Sequence, residues 1–119
     1  MIPTGPATRV YLSLGTTDLR KGFEGLGDLV RHQMKEDPMS GHLFVFTNRN
    51  RTRIKLLYWD GSGTWLLTKR LAKGRFSWPQ EEGAPTATAL RILAEELTLL
   101  LSGIDLEKTR SRAWWRKAA

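Results

Sequence analysis

The stretch Arg53-Ile54-Lys55-Leu56-Leu57-Tyr58-Trp59-Asp60-Gly61-Ser62-Gly63-Thr64-Trp65-Leu66-Leu67-Thr68-Lys69-Arg70-Leu71 decides the fold. Two runs of aliphatic, aromatic and β-branched residues flank Asp60-Gly61-Ser62-Gly63, a composition that turns a chain back on itself. The reading is a β-hairpin with strands over 53–59 and 64–71. A two- or four-residue loop sets Trp59 opposite Thr64, Leu57 opposite Leu66, Lys55 opposite Thr68 and Arg53 opposite Arg70. Side chains alternate along a strand, so these positions share one face. Ile54, Leu56, Tyr58, Trp65, Leu67 and Lys69 share the other, which reads as core. Arg53, Lys55 and Arg70 converge far from the turn. Like charges set opposite one another are unfavourable unless an anion or solvent meets them.

Working outward, Leu43-Phe44-Val45-Phe46 is a short apolar run suited to a central strand covered on both faces. Val10, Leu12 and Leu14 alternate with Tyr11 and Ser13 and predict a first strand near 9–14. Between them, Leu19, Phe23, Leu26, Val30 and Met34 form one apolar helical face over 19–35, with Asp18 as its N-cap and Asp37-Pro38 as its stop. Gly22, Gly25 and Gly27 weaken such a helix. Close packing on a sheet, or a backbone surface that meets a ligand, would account for them. A second helix is predicted near 86–101, with Leu90, Leu93, Ala94, Leu97, Leu100 and Leu101 on its apolar face and Ile92 and Leu99 off it. The expected architecture is an α+β domain over 1–103, with a mostly antiparallel sheet, a central basic hairpin and two packed helices. Residues 1–8 read as a loose arm and 104–119 as a basic, Trp-containing tail.

The 119 residues carry a net charge of +7, and the charge is clustered. Arg49, Arg51, Arg53, Lys55, Lys69, Arg70, Lys73 and Arg75 lie in one segment whose only acid is Asp60. Lys108, Arg110, Arg112, Arg116 and Lys117 crowd the tail, so the remainder of the chain is net acidic. Clustering of this kind is the electrostatic footprint of nucleic-acid binding. Trp59 and Trp78, close in sequence to these cations, are candidates to stack on bases or wedge between them. Trp114 and Trp115 could stack likewise or form a docking segment.

Chemistry is sparse. The chain has no Cys, which excludes disulfides and thiolate sites. His32 and His42 lack a second ligand at metal spacing. Gly22 to Gly27 lack the Lys-Ser/Thr ending of a phosphate loop. Asp18, Glu24, Asp28, Asp37 and Asp60 read as cap, surface and turn residues rather than a metal-binding carboxylate cluster. No catalytic residue, metal or cofactor is expected. Apolar runs are too short to cross a bilayer, and the N-terminus does not resemble a secretory signal. A cytoplasmic, nucleoid-associated protein is expected.

Asp18-Leu19-Arg20-Lys21-Gly22-Phe23-Glu24-Gly25-Leu26 resembles the opening signature of the TnpB accessory proteins, encoded by the second open reading frame of the sixty-six-type bacterial insertion sequences. The resemblance continues through Pro38, Gly41, Leu43 to Phe46 and Asn48-Arg49. It is strongest in Ile54 to Gly61, Lys69-Arg70-Leu71, Gly74-Arg75-Phe76 and Trp78-Pro79. It covers roughly residues 8–80. It implies a non-catalytic partner in transposition, encoded beside a separate transposase, and the basic cluster coincides with the family pattern at Arg49, Lys55, Lys69, Arg70 and Arg75. Two functions follow as expectations. In the first, the chain binds DNA, either element ends or nonspecific duplex, through Arg49, Arg51, Arg53, Lys55, Lys69, Arg70, Lys73, Arg75, Trp59 and Trp78. In the second, it docks on the transposase or another element-encoded protein through Ile92, Leu99, Trp114 and Trp115. RNA binding is a third option, and a homo-oligomer is compatible with the sequence.

Overall fold

Strand β2 (Leu43–Thr47) is the axis of the molecule, and all five of its residues are buried. A computed structural model of the chain describes residues 7–79 and 88–103. The other elements in chain order are β1 (Val10–Ser13), α1 (Phe23–His32), β3 (Arg53–Trp59), β4 (Thr64–Arg70), β5 (Ala89–Ile92) and α2 (Ala94–Leu101). The five strands form one sheet in the order β4-β3-β2-β1-β5. Only β1 and β2 run parallel, joined by the crossover through α1; every other pair is antiparallel. This is an α+β fold with a mostly antiparallel sheet, as expected.

Both faces of the sheet are covered. Leu26, Val30 and Met34 of the α1 region pack on Tyr11, Phe44, Phe46 and Leu57. On the opposite face, Leu97 and Leu100 of α2 pack with Phe76 and Trp78 over Leu12, Val45, Ile54 and Leu56. The hairpin has the predicted register, Trp59 against Thr64 through to Arg53 against Arg70. Its turn is organised by Asp60. One carboxylate oxygen accepts the Ser62 and Gly63 backbone N–H groups at 2.8 and 2.9 Å, and Gly61 takes φ +99°, a conformation that favours glycine. The other oxygen accepts the Trp65 indole N–H at 2.8 Å.

These hydrogen bonds hold the Asp60 carboxyl far below its ordinary value near 3.8, the Ser62 N–H having the largest effect and Trp65 the next. A carboxyl depressed in the folded state stabilises above its unfolded value and loses that contribution as pH falls. The urea midpoint is therefore expected to drop as the pH is lowered from about 5 toward 2. Asp60→Asn, measured in the same titration, should show a shallower drop.

Four expectations need correction. First, α1 begins at Phe23, not at residue 19, and its N-cap is Gly22. Asp18 turns away from the helix: it accepts the Arg20 backbone N–H at 3.0 Å and its guanidinium at 2.8 Å, which lowers the carboxyl to about 2. Second, close packing on the sheet does not account for the glycines. Gly22 is a cap, a Cβ at Gly25 would meet only the stem of Lys21, and one at Gly27 would touch Pro38 at an ordinary 3.9 Å. Third, the first part of the predicted second helix is strand β5. Leu90 and Ile92 are buried on one side of it, and its backbone pairs with β1, whose edge would otherwise be left unsatisfied. Short apolar runs fit either period, and here the open edge decides. Fourth, Trp65 is not core. It lies on the edge strand β4, 55 % exposed.

Candidate nucleic-acid interface

The basic residues come together because three backbone segments meet at one end of the sheet. Asn48 builds the β2–β3 turn: its side-chain oxygen accepts the Thr52 and Arg53 N–H groups at 2.9 and 3.1 Å, and its amide donates to the Thr52 hydroxyl. Arg51 occupies the left-handed region at φ 59°. The segment leaving β4 then crosses this turn. Leu71 N–H donates to Thr52 O at 2.9 Å, and Phe76 N–H donates to Arg51 O at 2.7 Å. Phe76 is buried beneath the crossing. Arg49, Arg51, Arg53, Arg70, Lys73 and Arg75 are thereby gathered from the turn, the strand ends and the strap. All but the half-buried Arg51 are exposed.

Arg53 and Arg70 are cross-strand neighbours. Neither ion pair among the described residues, Asp18–Arg20 or Asp28–Arg31, involves Arg49, Arg53, Arg70, Lys73 or Arg75. Asp60 lies at the other tip of the hairpin, roughly 20 Å away at about 3.3 Å per residue. The exposed cations give this end a positive field.

Other predicted residues are placed elsewhere. Lys55 is half-buried and donates to Lys21 O at 3.2 Å, which ties the entry of α1 to β3. Lys69 points to the opposite face and donates to Leu101 O at 2.6 Å, supplying the cation that the last turn of α2 lacks. Trp59 sits at the turn end of β3, about 20 Å from Arg53 along the strand. Trp78 is a correction: only 3 % exposed, it belongs to the core, and its indole donates to Ser13 O at 3.1 Å. A ring enclosed in this way has no free face for a base. Ile92 is likewise buried, in β5, and Leu99 is half-buried on α2. Trp114 and Trp115 lie outside the described residues.

His32 is exposed on α1. The His42 Nδ1 accepts the Arg9 N–H at 3.0 Å and its ring meets Tyr11 edge-on, while burial and then Arg9 lower its pKa. Among the described residues no three His, Asp or Glu side chains converge to hold a metal, and no helix is long and apolar enough to cross a membrane.

One feature was not visible in the sequence. Phe23 and Met39, 54 % and 51 % exposed, border a cleft of about 450 Å³ between α1 and the hairpin. Phe23 falls on the apolar stripe by spacing. Because α1 starts there, the ring overhangs the sheet instead of packing on it.

Comparison with known proteins is specific. Residues 8–111 match the family described as IS66 Orf2 like protein. The protein y4hO of Sinorhizobium fredii (strain NBRC 101917 / NGR234) is 44 % identical over 105 residues, covering 88 % of each chain. The protein y4jC of the same strain is 34 % identical over 112 residues, covering 94 % of this chain and 92 % of that one. No solved structure matches. The chain belongs to the IS66 Orf2-like family and is an accessory protein of an insertion sequence.

Proposed function

We propose that the chain is a non-catalytic accessory module that binds the DNA phosphate backbone with the basic end of its sheet. The observation that carries this reading is the gathering of Arg49, Arg53, Arg70, Lys73 and Arg75 on one exposed surface without a described acidic partner. Phosphate contacts need cations held on a fixed backbone, and a turn braced by a crossing strap offers one. Lys55 and Lys69 leave the contact set because each ammonium donates to a backbone carbonyl of a neighbouring element, and Trp78 because it is buried. Docking on the transposase is the competing reading; it loses Ile92, which is buried.

The test is fluorescence anisotropy of labelled DNA across a salt series, with an element-end duplex, a scrambled duplex and a single strand. Five contacts predict a slope of log K against log salt of about −4 to −5 on duplex. A preference for the element end would add base or shape reading to phosphate binding. Absence of binding at low salt by the folded chain overturns the proposal. Lys69→Met separates structure from contact. It should cost about 0.3–1 kcal/mol of stability, read from the urea midpoint, through loss of the α2 C-terminal cation. The salt slope should not change.

A further inference from the structure

We infer that the cleft between α1 and the hairpin is the seat of the chain's own C-terminal segment, with Trp114 and Trp115 as the inserted side chains. This inference rests on the cleft and the composition of the segment, and it holds whether or not the chain binds DNA. Phe23, Pro38, Met39 and Leu57 supply the apolar part of the cleft lining. Glu24, Asp28 and Arg31 also line it. Arg31, itself a lining residue, engages Asp28 at 3.4 Å, so Glu24 is the lining carboxylate without an ion pair among the described residues. Gly27 also lines the cleft, and no packing contact requires glycine there; its missing side chain widens the opening. Apolar side chains beside one unpaired carboxylate suit a peptide that combines aromatic and cationic residues. Arg110-Ser111-Arg112-Ala113-Trp114-Trp115-Arg116-Lys117 has that composition.

The path is short enough. After α2 the chain reaches Gly103, where an added Cβ would lie 3.2 Å from the Leu71 side chain, beside the end of β4. β4 is the edge strand, and Thr64 at its other end lines the cleft. The strand is about 20 Å long. The eleven residues from Gly103 to Trp114 span up to roughly 36–40 Å extended, enough to follow the open edge and turn onto the α1 face.

The chain has no Cys, so a single cysteine can carry a nitroxide at a chosen site. Thr64→Cys in the full chain places it on the cleft wall. The readout is the indole N–H signals of the five tryptophans in an ¹⁵N spectrum. Trp59, opposite residue 64, must be lost and serves as the internal control. Docking predicts loss of the Trp114 and Trp115 signals as well, and their return in a Phe23→Ser, Glu24→Lys double variant, whose sites are both exposed. Full-intensity Trp114 and Trp115 signals beside a lost Trp59 would overturn the inference, as would losses that persist in the double variant. Mixing spin-labelled ¹⁴N chain with unlabelled ¹⁵N chain tests the other occupant: loss in that mixture means a second copy supplies the segment, and it too overturns this assignment.

Discussion

Replacing Trp78 with alanine is expected to lower the unfolding free energy by about 3–5 kcal/mol, a large fraction of the roughly 5–15 kcal/mol that holds a domain folded. The ring is 3 % exposed and packs with Leu12, Leu97 and Leu100 on the α2 side of the sheet. Its removal leaves a cavity and strips the Ser13 carbonyl of the indole donor that reaches it across 65 residues of sequence. Trp78→Phe keeps most of the apolar ring and loses the hydrogen bond, so about 1–2 kcal/mol is expected there. Urea denaturation with an unchanged slope measures both. The prediction separates the two roles of this residue: a tryptophan that stacked on bases would affect binding and leave the urea midpoint almost untouched. The loss should also loosen the strap between β4 and Trp78, because the buried Phe76 and Trp78 anchor the segment that presents Lys73 and Arg75.

The hairpin was legible from its turn and the first strand from its alternation, while the central strand was legible as a short apolar run bounded by turn residues. A two- or four-residue loop at Asp60-Gly61-Ser62-Gly63 sets every pair from Trp59–Thr64 to Arg53–Arg70, a three-residue loop would break that register, and the structure has the former. The convergence of Arg53 and Arg70 was legible for the same reason. Their grouping with Arg49, Lys73 and Arg75 came from sequence clustering, but its cause, the Phe76–Arg51 and Leu71–Thr52 crossing, is a tertiary contact with no sequence pattern of its own.

The misses have physical causes. Leu90 and Ile92 lie within a run whose leucines also fit a helical stripe, and the vacant edge of β1 drew them into a strand. Trp65 and Trp78 were exchanged between surface and interior. Trp65 alternates correctly onto the α2 face, yet the eight-residue α2 does not cover the outer edge strand at the turn. Trp78 neighbours cations in sequence, but the strap folds it inward over β1. Lys55 and Lys69 look like their neighbours by charge alone. What distinguishes them is the carbonyl within reach of each ammonium, Lys21 O for one and Leu101 O for the other.

Changing Arg53, Arg70 and Arg75 together to alanine is expected to weaken duplex binding roughly 10²–10³-fold at about 0.1 M salt and to flatten the slope of log K against log salt by about 2.7. Both figures follow from the same relation, since each phosphate neutralised contributes about 0.9 to the slope and the affinity scales with that exponent. The effect should be nearly uniform across sequences, because contacts to phosphate carry no base information. Stability should move the other way. Arg53 and Arg70 are like charges on directly opposed strand positions, an arrangement that costs a few tenths to about 1 kcal/mol. None of the three side chains has an ion-pair partner among the described residues whose loss would offset the gain. The triple variant should therefore unfold at the same urea concentration as wild type, or a higher one, while losing its affinity for DNA. Anisotropy and urea denaturation on the same preparation decide the matter. Lost binding with undiminished stability would mean that the opposed arginines are maintained for a polyanion and not for the fold. Unchanged binding would move the phosphate contacts away from this end of the sheet.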